Sequence, residues 1–199
     1  MIPRHLVIAI AVMVVISLGM GVYVWHMRGH FDRGSSMILN TQPVAAPVSG
    51  PTESVNLYVA YDNAGVLRIR PARIPLPAGR QERAEELLRS LLDVYLGKSS
   101  PHALGSGSEV RDVYLVEPGL AVVDVNSAFA DGHRSGVLTE ELTVASLLET
   151  IFTNVPGVEQ IRILVDGKER DTLAGHVDLT TAYDAAGISK LAGQLLSAQ

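Results

Sequence analysis

The chain is predicted to fold as a two-layer α/β domain, and three features of its sequence lead there. Short segments alternate apolar and polar residues with the period of two that marks half-buried strands. Two longer segments repeat their apolar residues at helical spacing, and Gly, Pro, Asn and Asp clusters separate the pieces. The order is strand, strand, helix, strand, strand, helix, strand, which describes both helices on one face of a mixed sheet.

The first strand is predicted from Val55, Leu57, Val59 and Tyr61 alternating with Asn56, Tyr58 and Ala60. Asp62-Asn63-Ala64-Gly65 turns the chain, and a return strand places Leu67 and Ile69 on one face and Arg68 and Arg70 on the other. Pro71, Pro75 and Pro77 are expected to end the ladder, because proline has no N–H to donate. From Gln81, Ala84, Leu87, Leu88, Leu91 and Tyr95 follow amphipathic helix spacing, with Glu85 and Arg89 set four apart on the wet side and Gly97 as a stop. Lys98 to Ser108 reads as a loop. Val113 and Leu115 then open a second hairpin, which Glu117-Pro118-Gly119 turns and Leu120 to Val125 closes. Thr139 is placed to cap the second helix, with Glu140 and Glu141 in its first turn. That helix carries two apolar stripes and should be the more deeply buried. Asn154, Pro156 and Gly157 end it, and Ile161, Ile163 and Val165 form the last strand before the Asp166-Gly167 turn. Beyond Thr181, Ile188, Leu191, Ala192 and Leu195 form an amphipathic tail over residues 182–199.

Ahead of this domain, which is expected over 54–181, Leu6 to Trp25 is an apolar run long enough to cross a bilayer as one helix. Tyr23 and Trp25 suit the headgroup region at its end. The bulky sequence Tyr23-Val24-Trp25-His26-Met27 has no small-x-small cleavage site, so residues 1–28 are expected to stay as an anchor. Flanking charges do not decide its orientation. Residues 29–53, rich in Gly, Ser, Pro and Thr, read as a flexible linker spanning roughly 25 to 30 Å.

The formal net charge of −5 and the interspersed signs argue against nucleic-acid binding. With no cysteine, disulfides, thiolate metal sites and thiol nucleophiles are excluded. Asp166, Asp171, His176 and Asp178 could supply oxygen and imidazole ligands, but their spacing matches no ordered metal loop. Asp124, Asp131 and His133 could serve acid–base chemistry around Ser127 or Ser135, yet no nucleophile elbow frames either serine. Gly105-Ser106-Gly107-Ser108 is followed by a strand and not a helix, which makes it a flexible surface loop rather than a phosphate cradle. Arg68 and Arg70, with Arg73 beyond them, are the candidate partner contacts: a cationic face suited to carboxylates, or else a solvated edge that discourages strand pairing. No catalytic, cofactor or metal residue is assigned.

Several segments resemble the sporulation and spore germination GerMN domain family. They are Phe152-Thr153-Asn154-Val155-Pro156-Gly157-Val158, Ile163-Leu164-Val165-Asp166-Gly167-Lys168 and Thr172-Leu173-Ala174-Gly175-His176-Val177-Asp178-Leu179. Val55-Asn56-Leu57-Tyr58 and Ala121-Val122-Val123-Asp124-Val125-Asn126 agree with it, as does the helix opening at Glu140-Glu141-Leu142. The resemblance covers Val55 to about Thr181 and is weaker over Lys98 to Ser108. It implies a helix, strand, strand, helix, strand core like that of ring-building motifs, here from Gln81 to Val165, preceded by the N-terminal hairpin. It also implies a non-enzymatic module outside the cytoplasmic membrane, on the periplasmic side of a single-pass anchor. The expected partner is a cell-envelope protein or peptidoglycan-remodelling enzyme of sporulation, germination or division. Regulation of an amidase and direct binding of peptidoglycan are the alternatives. A lipid anchor would need a cysteine, so the Leu6 to Trp25 helix is expected to replace it.

Overall fold

The structure, a computed structural model, describes residues 50–116 and 118–197. The expected anchor, and the linker up to residue 49, lie outside the described residues. No helix among the described residues is long and apolar enough to cross a membrane. The elements are β1 (Thr52–Tyr61), β2 (Val66–Pro75), α1 (Arg80–Leu96), β3 (Val110–Val116), β4 (Leu120–Val125), α2 (Ser127–Asp131), α3 (Val137–Asn154), β5 (Gln160–Val165), β6 (Tyr183–Asp184) and α4 (Ala185–Ser197).

One mixed sheet was expected, but the strands divide into two. β1 and β2 form an antiparallel ribbon of their own, and β3-β4-β5-β6 form the mixed sheet, with β4 and β5 parallel. The ribbon stays separate because α3 occupies the outer edge of β1. Asn56 N–H donates to Asn154 Oδ1 at 3.4 Å, and Asn154 Nδ2 donates back to Asn56 O at 2.8 Å. Tyr58 N–H donates to Thr150 Oγ1 at 3.0 Å, and Ser146 Oγ donates to Tyr58 O at 2.5 Å. Ser146, Thr150 and Asn154 recur every four residues, so one stripe of α3 satisfies the groups a neighbouring strand would otherwise pair.

The same register corrects the expected end of β2, which runs through Pro71 to Pro75. Pro71 lies opposite Asn56 and Pro75 opposite Thr52. Because Asn56 turns its backbone groups away from β2, Pro71 occupies a position where the ladder asks for no N–H. Pro75, four residues on, has the same parity. Both prolines therefore fall on the open edge of β2, where they remove donors that could recruit another strand.

The mixed sheet buries one face. Val113, Ala121, Val123, Val125, Ile161, Ile163 and Val165 all point into the core, where Leu87, Leu88 and Leu91 of α1 and Leu142, Leu147, Leu148 and Ile151 of α3 join them. Every residue of α3 from Leu142 to Ile151 is buried, as its two apolar stripes predict. Each fully buried aliphatic side chain contributes roughly 1.5–3 kcal/mol. The tail helix α4 adds Ile188, Ala192 and Leu195 to the same core.

Other local expectations change. Helix α3 begins at Val137 with Gly136 as N-cap, so Thr139 lies inside the helix, and Glu140 accepts from Gly136 N–H at 3.2 Å. On α1, Arg89 pairs with Glu86 and not with Glu85. The Gly105–Ser108 segment is pinned: Ser108 N–H and Oγ donate to Gly105 O, and Asn126 Nδ2 donates to Gly107 O at 2.7 Å. A Cβ on Gly105 would lie 2.9 Å from the Cα of Gly132, so glycine is needed there for backbone approach. The short elements α2 and β6 have too few residues for a period to show. Asn126 caps α2 by accepting from Phe129 N–H at 2.9 Å.

Candidate functional site

The polar side chains of α3 and its surroundings form three connected clusters. At the first, Tyr95 of α1 accepts from Ala60 N–H at 2.8 Å and lies 2.5 Å from Ser146 Oγ. Ser146 must donate to the Tyr58 carbonyl, so the Tyr95 hydroxyl donates to Ser146 and every group in the chain is satisfied. Burial of the phenol pushes its pKa well above the ordinary value, against the lowering effect of the Ala60 and Ser146 hydrogen bonds.

The second cluster joins three loops to α3. His102 Nδ1 meets Asp62 Oδ1 at 2.5 Å, and its Nε2 meets Thr143 Oγ1 at 2.7 Å. His133 Nδ1 donates to Arg134 O at 2.8 Å, and its Nε2 lies 2.6 Å from the same threonine oxygen. Asp62 also pairs with Arg134. Acceptors at both Nδ1 positions place the proton there in the neutral rings, so both Nε2 lone pairs face the single hydroxyl hydrogen of Thr143. Thr139 O, at 3.0 Å, is a third acceptor for that hydrogen. Burial lowers the pKa of both histidines, against the raising effect of Asp62 on His102 and of the Arg134 carbonyl on His133.

Glu140 is the centre of the third cluster. It is fully buried, and its Oε2 accepts from the backbone N–H groups of Ala174, His176 and Val177, each at 3.0 Å. Its Oε1 accepts from His176 Nδ1 at 2.8 Å. Burial pushes its pKa up, but the bonds from Val177, the His176 ring, Ala174 and His176 N–H outweigh this and hold it at about 2. Glu140 thereby fastens the segment carrying His176 and Asp178 onto the start of α3. Sequence alone places Glu140 in the first turn of the helix, near the positive end of its dipole, and within the family-like opening Glu140-Glu141-Leu142. Its position four, seven and eleven residues before Val144, Leu147 and Ile151, on an apolar stripe, was the available signal that it is buried.

Of the acid–base and metal candidates, Asp124 and Asp166 both face Arg111, with Ser127 hydrogen-bonded to Asp166, and the others lie apart from them. Ser135 Oγ lies 3.4 Å from His176 Nδ1, the nitrogen that Glu140 already holds. A hydrolytic triad needs its nucleophile and its acid on different ring nitrogens, so this arrangement does not make one. Asp131 pairs with Arg170 at 2.6 Å, and Asp124 accepts from Gly167 N–H at 2.7 Å. Asp166 stands at the turn with φ 51° and pairs with Arg111 at 2.9 Å. Asp178 Oδ1 accepts from Thr180 N–H and Oγ1 at 2.7 Å. Among the described residues no three His, Asp or Glu side chains converge on a metal-sized site.

Arg68, Arg70 and Arg73 are all exposed. Arg68 and Arg70 lie opposite Val59 and Leu57, and Arg73 lies opposite Ser54. Strand alternation therefore puts the first two on one face of the ribbon and Arg73 on the other. The Arg68 guanidinium stacks 4.9 Å from the Tyr61 ring centre. A second open surface is the uncovered face of the mixed sheet. Its register aligns Tyr114 with Val122 and Arg162, and Val116 with Leu120 and Gln160. Tyr114 and Val116 are each 47 % exposed.

The chain is a mixed α/β domain with a hairpin ribbon beside a four-stranded sheet, and its buried polar residues tie loops to a central helix. The family model for sporulation and spore germination, Germane, matches residues 56–171, more than half of the chain, and the chain belongs to that family. No curated protein matches. Solved structures similar to this chain include the following three. A protein described as a lipoprotein from Clostridium perfringens is 18 % identical at a TM-score of 0.46, with 74 % of this chain and 96 % of that one covered. The tandem GerMN domains of the sporulation protein GerM from Bacillus subtilis are 17 % identical at a TM-score of 0.48, with 66 % of this chain and 45 % of that one covered. The first GerMN domain of GerM is 15 % identical at a TM-score of 0.47, with 67 % and 98 % covered.

Proposed function

We propose that this protein is a non-enzymatic docking module of a cell-envelope assembly, held at the cytoplasmic membrane by Leu6 to Trp25 with its domain outside the cytoplasm. The observation that carries the reading is how the reactive side chains are used. Glu140, His102, His133, Thr143, Ser146 and Tyr95 hold backbone segments together, while Tyr114, Val116, Arg68 and Arg70 face solvent. Groups locked into structural hydrogen bonds favour a rigid scaffold, and exposed aromatic and arginine side chains are the types that anchor protein interfaces. The linker gives the domain reach and raises its local concentration near other envelope proteins.

Crosslinking in intact cells, followed by identification of the captured proteins, tests this reading. An envelope protein recovered with wild type and lost with the Arg68→Ala/Arg70→Ala variant is the expected result. Co-sedimentation of the purified protein with isolated peptidoglycan alone would favour wall recognition. Faster wall release by an added amidase, with none by this protein alone, would favour regulation of that enzyme. A reporter fused after Gln199 that is active only in the cytoplasm would overturn the topology.

A further inference from the structure

Between the start of α3, the segment that Glu140 fastens and α4 lies a groove of about 360 Å³. Its lining combines the aliphatic side chains of Val137, Val144, Val177 and Leu191 with the carboxylates of Glu141 and Asp178. Val137, Glu141 and Val144 are spaced four and three apart, so all three present one face of the first two helical turns. Val137 is 55 % exposed, an open aliphatic position beside a carboxylate.

The charges of this groove are one-sided. The Glu141 carboxylate has no hydrogen-bond or ion-pair partner among the described residues. Asp178 uses Oδ1 for both Thr180 bonds, which leaves Oδ2 open. No lysine or arginine lines the groove. The imidazole of His176 also lines the groove, and its Nδ1 is held by Glu140. The position of Asp178 is fixed, because Tyr183 OH donates to its carbonyl and the Thr180 bonds orient its carboxylate.

An aliphatic lining that also carries carboxylates complements a side chain whose methylenes are apolar and whose head is cationic. We propose that this groove receives a lysine or arginine side chain, flanked by an aliphatic residue, from a segment of the protein partner. The stem would lie over Val137, Val144 and Leu191, and the charged head would reach Glu141 and Asp178. This proposal rests on the docking reading and deepens it. The contact it adds is acidic and lies apart in sequence from the arginines of β2.

The full chain in detergent micelles can be titrated with acetyl-Leu-Lys-Leu-amide and observed by saturation-transfer NMR from the peptide. Acetyl-Leu-Gln-Leu-amide and acetyl-Leu-Glu-Leu-amide serve as controls. Saturable binding of the lysine peptide, at least fivefold tighter than the glutamine peptide, is expected. Glu141→Gln with Asp178→Asn should weaken it at least fivefold while the melting temperature stays within a few degrees of wild type. Equal binding of the three peptides, no saturable signal from the lysine peptide, or unchanged affinity in the double variant would overturn the proposal. Capture of an envelope protein equally by wild type and Glu141→Lys would overturn the groove and leave the docking reading intact. Loss of capture by wild type would remove the docking reading, while the peptide titration would still report on the groove.

Discussion

The polar stripe of α3 and the arginines of β2 are both rows of hydrophilic side chains, but they stand in opposite relation to water. Along α3, Glu140, Thr143, Ser146 and Thr150 are buried, and each completes hydrogen bonds for other parts of the chain. Along β2, Arg68 and Arg70 are exposed, and Arg68 stacks on Tyr61. A buried polar group left without its partner costs its full desolvation penalty, whereas a solvated one costs almost nothing. The α3 stripe should therefore govern stability, and the β2 arginines should be free to serve recognition.

The largest expected effect comes from Glu140→Gln, which removes the charge and leaves one acceptor oxygen for two sets of donors, so the amide N–H₂ must face either the 174–177 N–H groups or Gly136 N–H and His176 Nδ1. A loss of roughly 3 kcal/mol in chemical denaturation is expected. A change below about 1 kcal/mol would show that one neutral carbonyl serves the 174–177 donors as well as the carboxylate does.

Acid should act on the same group. The Glu140 pKa falls from an ordinary 4.5 to about 2 in the folded state, so its stabilisation is present above pH 4.5 and is lost as the pH drops toward 2. His102 and His133 act in the same direction from a higher starting point. Their folded pKa values lie below the ordinary 6.5, so the unfolded chain binds protons first and stability declines as the pH falls below 6.5. Denaturation midpoints measured from pH 7 to 3.5 should fall throughout, and Glu140→Gln should flatten the part below 4.5. A rise in stability on acidification would contradict the neutral assignment of both rings.

Thr143→Val keeps the shape but removes the hydroxyl shared by two imidazoles, and a loss of about 2 kcal/mol is expected. Thr143→Ser should recover most of it. Asn154→Ala exposes the edge of β1 near solvent, where water can replace the lost partner, so about 1 kcal/mol is expected. At the end of this order, Arg68→Ala and Arg70→Ala should change stability by less than about 0.5 kcal/mol each, as thermal melts would show. A larger loss would move those arginines into the structural class and erase the contrast.

Much of the architecture could be read from the residues. The hairpin, the two long helices and the second hairpin follow from period and turn chemistry, and the deep burial of α3 follows from its double apolar stripe. The division into two sheets could not be read, because Ser146, Thr150 and Asn154 look like ordinary polar positions until α3 is placed along β1. Continuation of β2 past Pro71 was equally hidden: a missing N–H matters only once register decides which way it would have pointed. The His102–Thr143–His133 cluster joins residues 41 and 10 positions apart, a spacing with no local signature. Arg73 lies close to Arg68 and Arg70 along the chain, and strand alternation puts it on the other face of the ribbon.

The sequence by itself determined the long helices and the main strands, because these depend on periodicity and turn residues, which are local, and it pointed to the family through the motif segments at the end of α3 and along β5. The tertiary structure alone decided which polar groups are structural and which are open. That distinction depends on what faces each side chain across the fold. A glutamate on an apolar stripe and a glutamate one residue later look alike in the chain. Glu140 is sealed against three backbone N–H groups, and Glu141 lines a groove.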